Sequence, residues 1–131
     1  MNPARILIVD DNDINLKLAA SVLEYAGYEI FKAGDAVQAL EIVGRTMPDL
    51  ILMDMALPGM DGLELTRKLK ADAATRDIRV VALTASVMKG DAQKAADAGC
   101  EGYIPKPIDT RQLARQVAEI LGKAPERGKG N

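Results

Sequence analysis

Histidine is absent from this 131-residue chain and so is tryptophan; phenylalanine occurs once, tyrosine three times, and Cys100 is the single cysteine. Without histidine there is no Ser-His-Asp or Cys-His nucleophile and no histidine metal site. Nor can the chain carry its own phosphohistidine, so any phosphoryl group it holds comes from another molecule. Scarce aromatics remove the stacking surfaces of a flavin pocket or a single-stranded nucleic-acid groove. One cysteine makes no internal disulfide, and no apolar run approaches the ~18 residues of a membrane span or follows a basic leader. The expected setting is soluble and reducing, the cytoplasm. Seventeen Lys+Arg against nineteen Asp+Glu leave a net charge of -2, which draws the chain to neither nucleic acid nor an acidic membrane. Its expected partner is another protein, and its expected state a monomer or a weak dimer.

What is present is one domain's worth of apolar content, 48% of 131 residues, in short Val/Ile/Leu runs that alternate with helical patterns. That alternation is the mark of βαβ units and a mostly parallel sheet. Strands are expected over Arg5 to Val9, Glu29 to Ala33 (the most polar, hence an edge), the Leu50-Ile51-Leu52-Met53 run, Val80 to Leu83, and Gly102 to Ile104. Helices are expected from near Asp13 to Ala26, after Asp35, from about Leu63 to Ala71, from about Asp91 to Ala98, and after Asp109 or Thr110. The first turns Ile14, Leu18, Val22 and Tyr25 inward at three- and four-residue steps; the second Val37, Leu40 and Val43; the last Leu113, Val117, Ile120 and Leu121. Gly27, Gly99 and Gly122 serve as stops. The domain covers 1–122 and a flexible tail 123–131.

Polar groups close the apolar runs. Asp10 and Asp11 follow Val9, Asp54 follows Met53, Thr84 follows Leu83, and Lys106 comes just after Tyr103-Ile104. In an open parallel sheet these carboxyl ends share one edge, where ligands bind. Crowded carboxylates raise one another's pKa unless a cation intervenes, so three acids there imply a bound metal, stored strain, or both. A hydroxyl and an ammonium opposite such a cation describe a phosphoryl site. Singly, each has a structural reading: an acid pair at a helix N-terminus, a strand-end hydroxyl, a solvated loop lysine, a half-buried strand tyrosine. Their order, acid pair, acid, hydroxyl, lysine after runs 1, 3, 4 and 5, is what chance rarely produces.

Over about residues 4 to 121 the chain resembles the CheY-like receiver domains of two-component response regulators. The resemblance rests on Ile8-Val9-Asp10-Asp11-Asn12, on Pro48-Asp49-Leu50-Ile51-Leu52-Met53-Asp54 with Pro58 and Gly59-Met60-Asp61-Gly62, on Leu83-Thr84-Ala85, and on Gly102-Tyr103-Ile104-Pro105-Lys106-Pro107. Met88-Lys89-Gly90-Asp91 and Gly99-Cys100 are similar to the single-domain regulators of the DivK type, wording that receivers of hybrid kinases share. The resemblance implies a doubly wound, flavodoxin-like sheet in the order 2-1-3-4-5 with five helices. It implies that Asp54 accepts a phosphoryl group from a phosphohistidine on a sensor kinase or histidine phosphotransfer protein, as a switch rather than an enzyme. It also implies Mg²⁺ held by Asp10, Asp11, Asp54 and the backbone carbonyl of Ala56, with Lys106 and Thr84 on the phosphoryl oxygens and a cis bond before Pro107. Thr84 and Tyr103 would carry the change to a readout face on the fourth helix, fifth strand and fifth helix, while Ala56, Ser86 and Met88 tune the phosphate's lifetime.

Leu16 and Ala20 lie at the far edge of the first helix's apolar stripe and Leu23 joins them at helical spacing; either Leu16, Ala20 and the Asn12-Asn15 end form a donor-docking surface, or the helix is simply well buried. Three other classes compete. A haloacid-dehalogenase-type Mg²⁺ phosphohydrolase also uses a strand-end aspartate, and Asp11-Asn12-Asp13 mimics its Asp-x-Asp; yet its following Thr, a later acid pair and any cap are missing. A flavodoxin-like cofactor binder would need phosphate-binding amides and hydroxyls where this first loop has acids. A scaffold that never switches would retain the repulsion of the acids without use.

Overall fold

Each apolar run becomes a strand of one parallel sheet, in the order β2-β1-β3-β4-β5. The strands are β1 (Arg5–Val9), β2 (Glu29–Ala33), β3 (Leu50–Asp54), β4 (Arg79–Thr84) and β5 (Gly102–Pro105). Between and after them run α1 (Asp13–Tyr25), α2 (Ala36–Thr46), α3 (Gly62–Ala71), α4 (Lys89–Ala98) and α5 (Leu113–Gly122). This computed structural model describes residues 3–57, 59–85 and 89–122, with the side chains of Lys89 and Asp91 left aside. The roles expected of Pro58, Ser86 and Met88, and the tail 123–131, lie outside the described residues.

Side chains alternate across a strand, and the core divides accordingly. Ile6, Ile8, Leu50, Leu52, Val81 and Leu83 face α1 and α5, meeting Leu16, Leu23, Leu113 and Val117. Leu7, Val9, Ile51, Met53 and Val80 face α2 and α3, meeting Ala39, Val43, Leu65 and Leu69. β3 is buried along its whole length, and each fully buried aliphatic side chain there contributes about 1.5–3 kcal/mol. β2, at the edge, is only partly covered.

The helix ends follow local chemistry. Asn12, Asp35 and Asp61 cap α1, α2 and α3, each side chain accepting from a backbone N–H three residues on. Gly27, at φ 104, ends α1: Tyr28 N–H returns to the Leu23 carbonyl and Gly27 N–H to that of Glu24, the paired closure of a Schellman end. Asp109 accepts from Arg111 N–H in a turn that precedes α5, so this helix begins later than its capping residues suggest.

Two expected faces are corrected. On α1 the inward residues are Leu16, Ala19, Ala20 and Leu23, while Ile14 is 74% exposed, Tyr25 95% and Leu18 42%. Both stripes are apolar at helical spacing; the one containing two alanines faces inward, where small side chains let the helix lie close to the sheet. Of the two readings of Leu16 and Ala20, a donor-docking surface or a well-buried helix, burial is the outcome. On α2, Val37 points outward at 69% exposure, and Ala36 and Ala39 take its place beside Val43.

Candidate active site

Register brings the polar ends together. Val9 lies opposite Met53, so Asp10 and Asp54 are neighbours at one level; Asp54 pairs with Leu83, and Thr84 with Pro105. Asp10, Asp11 and Asp54 each offer a carboxylate oxygen within 4.8 Å of the others. Asp10 and Asp54 are buried, Asp54 at 3% exposure, while Asp11 is open to solvent. Asp13 stands in the first turn of α1 and outside the cluster, which breaks the Asp-x-Asp mimicry.

Lys106 bridges the two buried acids, its Nζ 3.1 Å from Asp10 Oδ2 and 3.2 Å from Asp54 Oδ1. Its backbone is tied to β4, the Lys106 N–H donating to the Thr84 carbonyl at 2.7 Å, and the following bond to Pro107 is cis, as the resemblance implied. Asp54 Oδ1 also accepts from the Ala56 N–H at 3.0 Å, so the loop after β3 folds back over its own carboxylate. Asp10 accepts from the Asn12 N–H at 2.9 Å and from Asn15 Nδ2 at 3.3 Å. The Asn15 bond was not foreseen: its only trace in sequence is an amide on the first turn after the acid pair.

Burial pushes the Asp54 carboxyl above its ordinary value of 3.8; Asp10 adds to this, while the Ala56 N–H and Lys106 pull the other way without prevailing. For Lys106, burial favours the neutral amine, but its bonds to Asp10 and the charges of Asp10 and Asp54 outweigh that and leave the ammonium above its ordinary 10.5. The lysine is a fixed cation serving two buried acids. Burial also raises the Cys100 thiol, which keeps it protonated and a poor nucleophile.

Gly62 is a second unforeseen contributor. A Cβ there would strike the Asp54 carbonyl oxygen and come within 2.8 Å of Met55 Cα, and its N–H donates to the Met55 carbonyl at 3.2 Å. Glycine thus lets α3 start against the chain that carries Asp54. Thr84 is buried at the end of β4 and Tyr103 half-buried on β5. Both line a cavity of about 240 Å³ with Met55, Ala56, Lys94 and Ala95.

The donor set is all oxygen, with three clustered carboxylates and no nitrogen or sulfur ligand, which suits a hard divalent ion of the Mg²⁺ kind. Raised protonation of an acid beside other acids is what such an ion relieves.

Comparison with known proteins agrees with this geometry. The family profile of the response regulator receiver domain matches residues 6–118. The polar-differentiation response regulator DivK of Brucella anthropi is 42% identical over 122 residues, covering 93% of this chain and 99% of DivK; that of Brucella ovis is 42% identical over 119. A putative response regulator from Chloroflexus aurantiacus superposes with a TM-score of 0.88 at 31% identity, covering 93% of this chain and all of that one. The receiver domain of a sensor histidine kinase from Pseudomonas aeruginosa, with a magnesium ion coordinated in its active-site cleft, has a TM-score of 0.83 at 33% identity over 92% of this chain and 99% of its own. The chain belongs to the response regulator receiver domain family of two-component systems.

Proposed function

We propose that Asp54 is the phosphoacceptor, taking a phosphoryl group from a phosphohistidine on a sensor histidine kinase or histidine phosphotransfer protein. The observation that carries this reading is Lys106 held between Asp10 and Asp54 at the carboxyl edge of the sheet. An Asp54 carboxylate oxygen attacks phosphorus, the P–N bond to the donor imidazole breaks, and the leaving imidazole is protonated from solvent. In the loose transition state negative charge sits on the equatorial oxygens, where positioned cations and donors supply most of the acceleration. Lys106 exchanges its grip on Asp54 for one of those oxygens, and the Thr84 hydroxyl donates to another.

Asp11 and Asp54 would hold Mg²⁺ directly, with the Ala56 carbonyl, and Asp10 mainly through water. When bound, the ion neutralises the acids and stabilises charge on the transferring group. The chain makes and slowly loses its own phosphate but turns over no separate substrate. Asp54→Asn should abolish stoichiometric labelling by a small phosphodonor with Mg²⁺, read by intact mass. Equal labelling of the variant, or multiple turnovers, would overturn the assignment.

Phosphorylation then acts on a protein target through α4, β5 and α5, with Thr84 drawn toward the phosphate and Tyr103 following into the 240 Å³ cavity. Reversing a 1:99 equilibrium would need roughly 5.5 kcal/mol of preference for the active state. For the donor, Ile14 and Leu18, in the first two turns of α1 after the Asn12 cap, offer an exposed apolar stripe where Leu16 and Ala20 are buried. The P. aeruginosa kinase receiver's 33% identity supports a second setting, a relay step within a larger kinase. Among the described residues no helix is long and apolar enough to cross a membrane, and a sensor-kinase or phosphotransfer-protein donor favours the cytoplasm as the setting.

A further inference from the structure

At the edge of the sheet opposite Asp54, one ammonium ties three segments together. Lys70, in the last turn of α3, donates from Nζ to the Ile78 carbonyl at 2.6 Å, to the Arg76 carbonyl at 3.1 Å and to Glu101 Oε2 at 2.8 Å. Glu101, just before β5, accepts from the Val80 N–H on its other oxygen at 2.8 Å and donates its own N–H to the Val80 carbonyl at 2.8 Å. The Lys70 side chain also packs under the end of α4: a Cβ on Gly99, which has φ +110, would lie 2.7 Å from Lys70 Cγ. There α4 closes with the Cys100 N–H on the Ala95 carbonyl and the Gly99 N–H on that of Ala96, a Schellman end.

A lone rim ion pair contributes little. This one differs because the ammonium also satisfies two backbone carbonyls, and the Lys70 side chain is only 16% exposed. α4 is otherwise weakly held. Among its described side chains only Ala95 and Ala98 are buried, both in its second half and both small. Its middle, at Lys94 and Ala95, borders the 240 Å³ cavity that Thr84 and Tyr103 also line. The helix is clamped at its C-terminal end, while Ala92, Gln93 and Lys94, among its described side chains, are exposed.

We propose that Lys70 and Glu101 form a pin that fixes the C-terminal end of α4 and the start of β5, so that switching at Asp54 tilts α4 about Gly99 instead of displacing it whole. The idea rests on the receiver reading above. From Val80 to Thr84 is four strand residues, about 13 Å, so the pivot is separated from the site that drives it.

The test is amide NMR of the whole chain with Mg²⁺, before and after beryllofluoride, for wild type, Lys70→Met and Glu101→Gln. Met retains the packing beneath Gly99; Gln retains the bond to the Val80 N–H, and each removes the ion pair. Wild type should shift around Thr84 and the first turns of α4, while Cys100, Glu101 and Gly102 stay still. In either variant the shifts should spread into residues 99–102, and exchange protection there should fall about tenfold, the scale of one charge-assisted hydrogen bond. Equal shifts at Thr84 and Cys100 in wild type, or variants whose shifts stay confined as in wild type, overturn the pin and leave the receiver reading intact. No response anywhere in wild type overturns the receiver reading itself.

Discussion

Asp54 and Lys106 set the pH behaviour of the metal-free protein. The folded state binds a proton on Asp54 more readily than the unfolded chain does, so this residue's contribution to stability is fullest below 3.8 and is lost as pH rises through the raised folded value. Asp54→Asn abolishes the charge that has to be buried. In chelator it should therefore raise stability by about 1 kcal/mol at pH 7, and the gain over wild type should shrink as the solution is acidified, read by urea melts at several pH values. Lys106 follows the same sign in a much higher window: its raised ammonium contributes fully below 10.5 and is lost only as pH rises through the folded value, so at pH 7 its contribution is intact. Lys106→Met leaves two buried acids facing each other and should cost about 3 kcal/mol without metal, with much of the loss restored by Asp54→Asn in the same chain.

For elements, the deciding feature is which of two apolar stripes faces the sheet. Leu16→Glu places a charge at a position only 8% exposed and should cost about 3 kcal/mol or more. Ile14→Glu should leave thermal stability within about 0.5 kcal/mol yet slow transfer from a phosphohistidine donor; an unchanged rate would remove Ile14 from the docking surface. At the start of α3, Gly62→Ala should cost about 2 kcal/mol or more through collision with the Asp54 backbone, and it should lower small-donor labelling even at temperatures where the variant is folded. Patterning alone could not separate the α1 stripes, since Ile14-Leu18-Val22-Tyr25 and Leu16-Ala20-Leu23 both repeat at helical steps. Hydrophobicity argued for the larger residues, and close helix-sheet approach selected the alanines. The same competition moved Val37 outward on α2.

At the scale of the molecule, ion binding and folding are linked, because the three acids meet only in the folded chain. Mg²⁺ at a hundred times its dissociation constant should add about 2.7 kcal/mol to stability, and Asp11→Ala should erase that increment in a titration followed by thermal melting. The strand order β2-β1-β3-β4-β5 and the meeting of Asp10, Asp11, Asp54, Thr84 and Lys106 at one edge were legible in sequence, since buried parallel strands are continuous apolar runs and whatever follows them stands on a common rim. Likewise the caps at Asp35 and Gly27 are local chemistry, decided within a few residues. What the chain alone could not express were contacts between segments far apart in sequence: Lys106 bridging two acids, Gly62 against the Asp54 carbonyl, Lys70 reaching Glu101. Periodicity records that a side chain can be buried and turn chemistry where the chain can bend, but which surface comes to lie against which is settled only when all five strands and their helices pack, because close approach depends on the shape of both partners at once.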